Sequence, residues 1–173
     1  MFKAKSNSKL INSCIISFEK CIKILDKLTN EEFNQKPYDG STIGAHMRHI
    51  IDRANCVLSS LHHEILDYDN RLRNKDIEEN IVFCKNALQT TIDKMAQIPL
   101  QSIKSTIKIK ETISEDGSQT IIESPIEREF LDIFNHTIHH IATVKVICQS
   151  FGIKLGDDIA KTPSTKIYEQ TES

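Results

Sequence analysis

His136 and His140 stand four residues apart in the run Asn135-His136-Thr137-Ile138-His139-His140. Residues at that spacing lie on one face of an α-helix, so two imidazoles can aim at a single point. A second cluster far upstream, His46-Met47-Arg48-His49, offers a third imidazole. His49 is the favoured donor, and His46 takes its place if the register differs. Three protein donors with one position left for water or substrate is the usual form of a catalytic zinc, nickel or iron site. A divalent cation so held lowers the pKa of a bound water or thiol and supplies a nucleophile at neutral pH. The expected chemistry is hydrolysis or group transfer on a small molecule.

Other polar residues surround this expectation. Asp52, one turn beyond His49, reads as a general base or as an acceptor behind the ligand, or else as an ion-pair partner of Arg48 or Arg53. His139 lies one residue off the face of the histidine pair and is expected behind the ligands or at the surface. His62 and His63, followed by Glu64, read as a solvated pair. Tyr68, Asp69, Arg71 and Arg73 either anchor their loop through arginine–carboxylate pairing or line the mouth of a pocket and hold an anionic substrate. The five cysteines, Cys14, Cys21, Cys56, Cys84 and Cys148, are odd in number and lack C-x-x-C spacing. They read as free thiols in a core, not as a disulfide framework or a nucleophile.

The elements that must position these residues follow from apolar periodicity. Leu10, Ile11, Cys14, Ile15, Phe18, Cys21, Ile22 and Leu25 recur at three and four residues and predict a first helix over 8–28. TNEEFNQKPYDGS reads as a loop. A second helix is expected from Thr42 to about Ile65, capped by Ser41 or Thr42 and carrying His46 and His49. LDYDNRLRNKD reads as an ordered connection. A third helix is expected from about Ile77 to Ile98, ending before Pro99. In SIKSTIKIKETISEDGSQTIIES the period changes to two around Asp116-Gly117, which predicts a β-hairpin. Ser124-Pro125-Ile126-Glu127 reads as an N-cap with Pro at the first helical position and a capping box. A fourth helix then runs to a stop at Gly152. This pattern predicts an all-α four-helix bundle with a short hairpin inserted between helices three and four, over residues 1–153. Residues 154–173 read as a polar, loosely packed tail.

The 173-residue length fits one domain, and 39% hydrophobic residues can build one core. Twenty-two basic and 24 acidic residues give a net charge of −2 with no dense Lys/Arg run, which argues against nucleic acid. No segment approaches the ~20 apolar residues of a membrane span, and the N-terminus lacks a signal-type apolar stretch. The expectation is a cytoplasmic protein.

Three segments resemble the DinB-like superfamily, named for DNA-damage-inducible bacterial proteins. Ser41-Thr42-Ile43-Gly44-Ala45-His46-Met47-Arg48-His49-Ile50-Ile51-Asp52 is similar to the family's second-helix motif, in which a Gly precedes a ligand histidine by five positions. The run 135–140 is similar to its fourth-helix motif of two ligand histidines. Tyr68-Asp69-Asn70-Arg71-Leu72-Arg73 resembles the Tyr-Asp-x-Arg-x-Arg signature of one branch, and Arg128-Glu129 fits the same branch. The resemblance implies His49, His136 and His140 as ligands of a divalent metal. It departs from many members after His140, where Ile141-Ala142-Thr143 replaces Arg-Gly-Gln, so the thiol-transferase activity of better-known members transfers less safely than the fold. The contrasting expectation is a noncatalytic metal- or ligand-binding or structural bundle, able to form a homodimer.

Overall fold

The computed structural model describes residues 2–99 and 105–172. Four long helices carry most of the core: α1 (Phe2–Leu25), α3 (Ile43–Ser60), α5 (Ile81–Ala96) and α6 (Ile126–Ser150). In α1 the buried residues Ile11, Cys14, Phe18, Cys21 and Leu25 alternate at three and four residues, which turns one stripe inward. Both α1 and α3 pack against α5 and α6. The α3–α6 contact places the histidine-bearing faces of the two helices opposite each other.

An all-α bundle does not describe the whole. The hairpin strands β2 (Thr106–Thr112) and β3 (Gln119–Pro125) are joined by β1 (Ile65–Asp67), which pairs with β2 in parallel, with Leu66 opposite Ile109. The fold therefore combines helices with a three-stranded mixed sheet in the order β1-β2-β3. Its inner face buries Leu66, Ile107 and Ile109, and β1 and β3 contact α3 and α6 respectively. Three residues are too few to show a period of two, so β1 reads in sequence as the end of a helix and the start of a loop. It forms because the inner edge of β2 has backbone groups to satisfy, and Tyr68 N–H and Glu64 C=O extend the same ladder to Lys110 and Lys108.

Other boundaries shift for local reasons. The second expected helix ends at Ser60, ahead of Ile65. The first expected loop contains a short helix, α2 (Asn30–Asn34), closed by a Thr29–Glu32 capping box and anchored by fully buried Phe33. The second contains α4 (Lys75–Glu79), and Asn80 ends it while capping α5 through Val82 and Phe83 N–H. Ser124 and Pro125 belong to β3, where they pair with Ile107 and Thr106. Consequently α6 starts at Ile126 without a side-chain cap, because Ser124 Oγ is committed to Glu129. The hairpin turn does use Asp116-Gly117, with Gly117 at φ +84° and Asp116 Oδ1 accepting from Ser118 N–H. Residues 102–104 of the expected hairpin lie outside the described residues.

The segment after α6 is more structured than a polar tail implies. Gly152 takes φ +78° and Ile153 N–H bonds Cys148 C=O, turning the chain back so that Leu155 is buried. A 3-10 turn (Asp157–Ala160) then packs on α6, and α7 (Pro163–Glu172) follows with no buried residue. All five cysteines are free and buried. Burial pushes the Cys14 and Cys84 thiols up to about 12, so neither is a thiolate at neutral pH.

Candidate metal centre

Two helices meet here. On α3, Thr42 caps the N-terminus by accepting from Ala45 N–H, and the following turns present His46 and His49 one after the other. On α6, His136 and His140 flank the buried line of Ile133, Thr137, Ile141 and Val144. His49, His136 and His140 converge so that one ring nitrogen from each lies within 4.8 Å of the others. Ring centroids are 4.5 Å apart for His136 and His140, 4.9 Å for His49 and His136, and 5.0 Å for His49 and His140. Zinc–nitrogen bonds of ~2.1 Å in a tetrahedral set place donor atoms ~3.4 Å apart, so small rotations of χ1 and χ2 would close the triad on an ion.

The donor chemistry fits a divalent cation. Burial, followed by the Arg53 guanidinium and the His49 ring, lowers the His136 pKa to about 4. Burial and the neighbouring imidazoles lower that of His140 to about 3. His49 is lowered by burial and then by Arg71, and His46 by burial and then by His139. These rings are neutral at physiological pH and offer lone pairs. His136 Nε2 is buried and has no hydrogen-bond partner, a costly state that a bound cation would relieve.

Two contacts control which nitrogens are free. His46 Nδ1 and His140 Nδ1 are 2.9 Å apart, so one of them carries the proton. With the proton on His140 Nδ1 and the acceptor on His46, His140 Nε2 keeps its lone pair for a metal. His46 is thereby a positioning residue for His140. On the other side Arg71 Nη1 donates to His49 Nδ1 at 3.2 Å. Guanidinium has no acceptor, so in this arrangement neutral His49 carries its proton on Nε2. Arg71 competes with a cation for His49.

These shifts set a pH dependence for the metal-free protein. Unfolded histidines take protons near 6.5, whereas folded His136 resists down to about 4. Between those values the unfolded chain binds more protons, so this contribution is fully present above pH 6.5 and is lost as pH falls towards 4. Chelator-treated protein should show a falling Tm across that window, with a smaller fall in a His136→Gln, His140→Gln variant. Equal slopes in the two proteins would refute the assignment.

The remaining residues of the expected site fall into separate roles. Asp52 is buried and ion-paired with Arg48 at 2.6 Å, and Arg48 also holds Glu78 at 2.7 Å. Its carboxylate is occupied by that pair. Tyr68 is buried and donates to Glu129 Oε2 at 2.6 Å, while Glu129 Oε1 accepts from Ser124 Oγ at 2.7 Å. Burial and the Glu129 carboxylate push the phenol pKa up, so it remains a donor. Asp69 accepts from the backbone and hydroxyl of Thr112. Arg73 is exposed at φ 48°, and His139, His62 and His63 are exposed. Within the 68–73 segment it is Arg71 that reaches a triad ring.

Asp132 escaped sequence reasoning, and Arg53 and Glu129 entered it only as an alternative partner of Asp52 and as part of the resemblance. Arg53 lies 4.0 Å over the Tyr68 ring and pairs with Asp132 at 2.8 Å, while buried Glu129 joins β1, β3 and α6. Arg53 and Asp132 each fall one turn from a site histidine or its neighbour, a spacing signal that becomes useful only when α3 and α6 are known to face each other. Tyr68→Phe would leave one buried Glu129 oxygen without its donor, at about 2 kcal/mol. Thermal unfolding should report a Tm lower by ~5 °C, and an unchanged Tm would mean that water replaces the phenol at no cost.

No family model matches the chain, and no solved structure matches it. The chain is similar to FK506-binding protein 5 of Rhizopus delemar, at 30% identity over 105 residues, a stretch that covers 58% of this chain but only 26% of that protein.

Proposed function

We propose that the protein is a divalent-metal-dependent enzyme, a hydrolase or group transferase of the DinB-like type, with His49, His136 and His140 as its ligands. The observation that carries this reading is the convergence of three neutral imidazoles, one of which has a buried, partnerless Nε2. Among the described residues the cluster contains three donors, which leaves a coordination position for water or substrate. Such an ion, when bound, acidifies a water or thiol at that position. The chain's own residues do the rest. His46 holds His140 in the tautomer that exposes Nε2, and Arg71 supplies a positive charge beside His49. The Asp52–Arg48–Glu78 chain, with Arg48 in the middle, ties α3 beside the site to α4. Zinc, nickel and iron all suit three imidazoles. Five free thiols in the core suit a reducing compartment such as the cytoplasm.

Elemental analysis by mass spectrometry of the purified, untagged chain tests the reading. About one equivalent of zinc, nickel or iron is expected, and its loss in a His136→Ala, His140→Ala variant would assign it to the triad. A wild type that holds no metal after incubation with zinc and nickel would end the metalloenzyme reading and favour a noncatalytic binding or structural protein.

A further inference from the structure

Arg71 faces two ways. One Nη donates to His49, and the same residue lines a cavity of about 440 Å³ bounded by the second half of α3, the 70–72 segment and the end of α5. That volume falls in the usual range for small-molecule sites. Its wall carries two cations, Arg71 and Lys94, against one carboxylate, Asp52, which Arg48 already engages at 2.6 Å. The polar balance favours an anion.

Two atoms on this wall are buried without partners: Arg71 Nε, which can only donate, and Asn55 Oδ1, which can only accept. In a folded protein such groups are rare and costly. A small rotation of either side chain into the cavity would gain a partner while giving up nothing at that atom. Leu58, Leu61 and Ile98 supply an apolar side to the same space.

We propose that this cavity binds a small carboxylate that bears a neighbouring N–H and an apolar substituent, as in an N-acylated amino acid. Arg71 takes the carboxylate through its planar fork, Asn55 accepts from the N–H, and the leucines and Ile98 cover the apolar group. Arg71 then leaves His49, so the anion site and the triad share one side chain. A carboxylate on Arg71 frees the His49 lone pair and offsets a positive charge, and by linkage metal and anion strengthen each other's binding by the same factor. As a statement about substrate class this rests on the metal-centre reading; as a binding site it stands or falls without metal.

The test is calorimetric titration of the chelator-treated full chain with hippurate, hippurate methyl ester and N-methylhippurate. Hippurate should bind with a Kd below ~1 mM, and each analogue, lacking the charge or the N–H, should bind at least ~10-fold more weakly. Arg71→Met should weaken hippurate by a similar factor, and Asn55→Leu should erase the preference for hippurate over its N-methyl analogue. The comparison among ligands uses wild-type protein, so it remains decisive even where a variant folds poorly. Equal affinity for the ester, or no hippurate binding at ~10 mM, would overturn the proposal. Hippurate binding by a chain that takes up no zinc or nickel when these are added back would keep the cavity and discard the triad; metal uptake without hippurate binding would do the reverse.

Discussion

Replacing His136 by alanine is expected to lower zinc or nickel affinity more than ~100-fold, beyond the 10–100-fold typical of losing a residue that merely supports a ligand. The variant keeps only two imidazoles on two different helices, and one of these, His49, is contested by Arg71 at 3.2 Å. The metal-free variant should nevertheless fold, because the deletion removes a buried nitrogen that has no partner. Thermal unfolding with and without metal separates the two effects. At ~100 times the Kd a bound ion adds about 2.7 kcal/mol, which for a chain of this size raises Tm by ~5–10 °C. The wild type should show that rise and the variant should not. His139→Ala, altering an exposed ring outside the triad, should behave as wild type. An undiminished rise in the His136 variant would show that the ion is held elsewhere.

Gly44→Ala is the substitution with the largest expected effect on folding. A Cβ at this position would lie 1.9 Å from the backbone oxygen of Glu78 and 2.8 Å from Phe33 Cε1. The first contact is with backbone at the end of α4, which cannot swing aside as a long side chain can. Either α3 moves away from α4 or α4 is lost, and with it the Glu78 carboxylate that holds Arg48. A cost of ~3 kcal/mol or more follows from overpacking of this kind, equivalent to a Tm lowered by ~6–12 °C. Gly156→Ala is the control, since a Cβ there meets nothing within 4 Å and its φ of −60° suits any residue. The Gly44 variant should also bind metal more weakly, because the displaced turn leads directly into His46 and His49. Matching unfolding midpoints for the two alanine variants would show that the α3–α4 approach is looser than these distances state.

This contact also accounts for a motif. The glycine five residues before His49 is legible in sequence as a pattern, but the pattern carries no reason. The reason is a close approach of two backbones, and it depends on α4, a five-residue helix whose composition reads as a polar connection. Phe33 is a similar case. It is a phenylalanine in a polar stretch, and it becomes fully buried because α2 folds under the start of α3.

Spacing alone determined a good deal. Four long amphipathic helices, the turn at Asp116-Gly117, the helix stop at Gly152 and the pairing of His136 with His140 on one face all follow from interactions within a few residues of each other, so local periodicity and turn chemistry report them. Tertiary structure decided the rest. Whether β1 exists depends on an unpaired edge of β2 more than 40 residues away, and the pairing of β3 with β2 removes Ser124 from the cap of α6, where its hydroxyl goes to Glu129. That His46 acts on His140 and Arg71 on His49 likewise depends on helix and loop packing across 94 and 22 residues of chain. Such contacts leave no period in the sequence, because a side chain's type fixes what it can donate or accept, while only the packed neighbours fix which partner it meets.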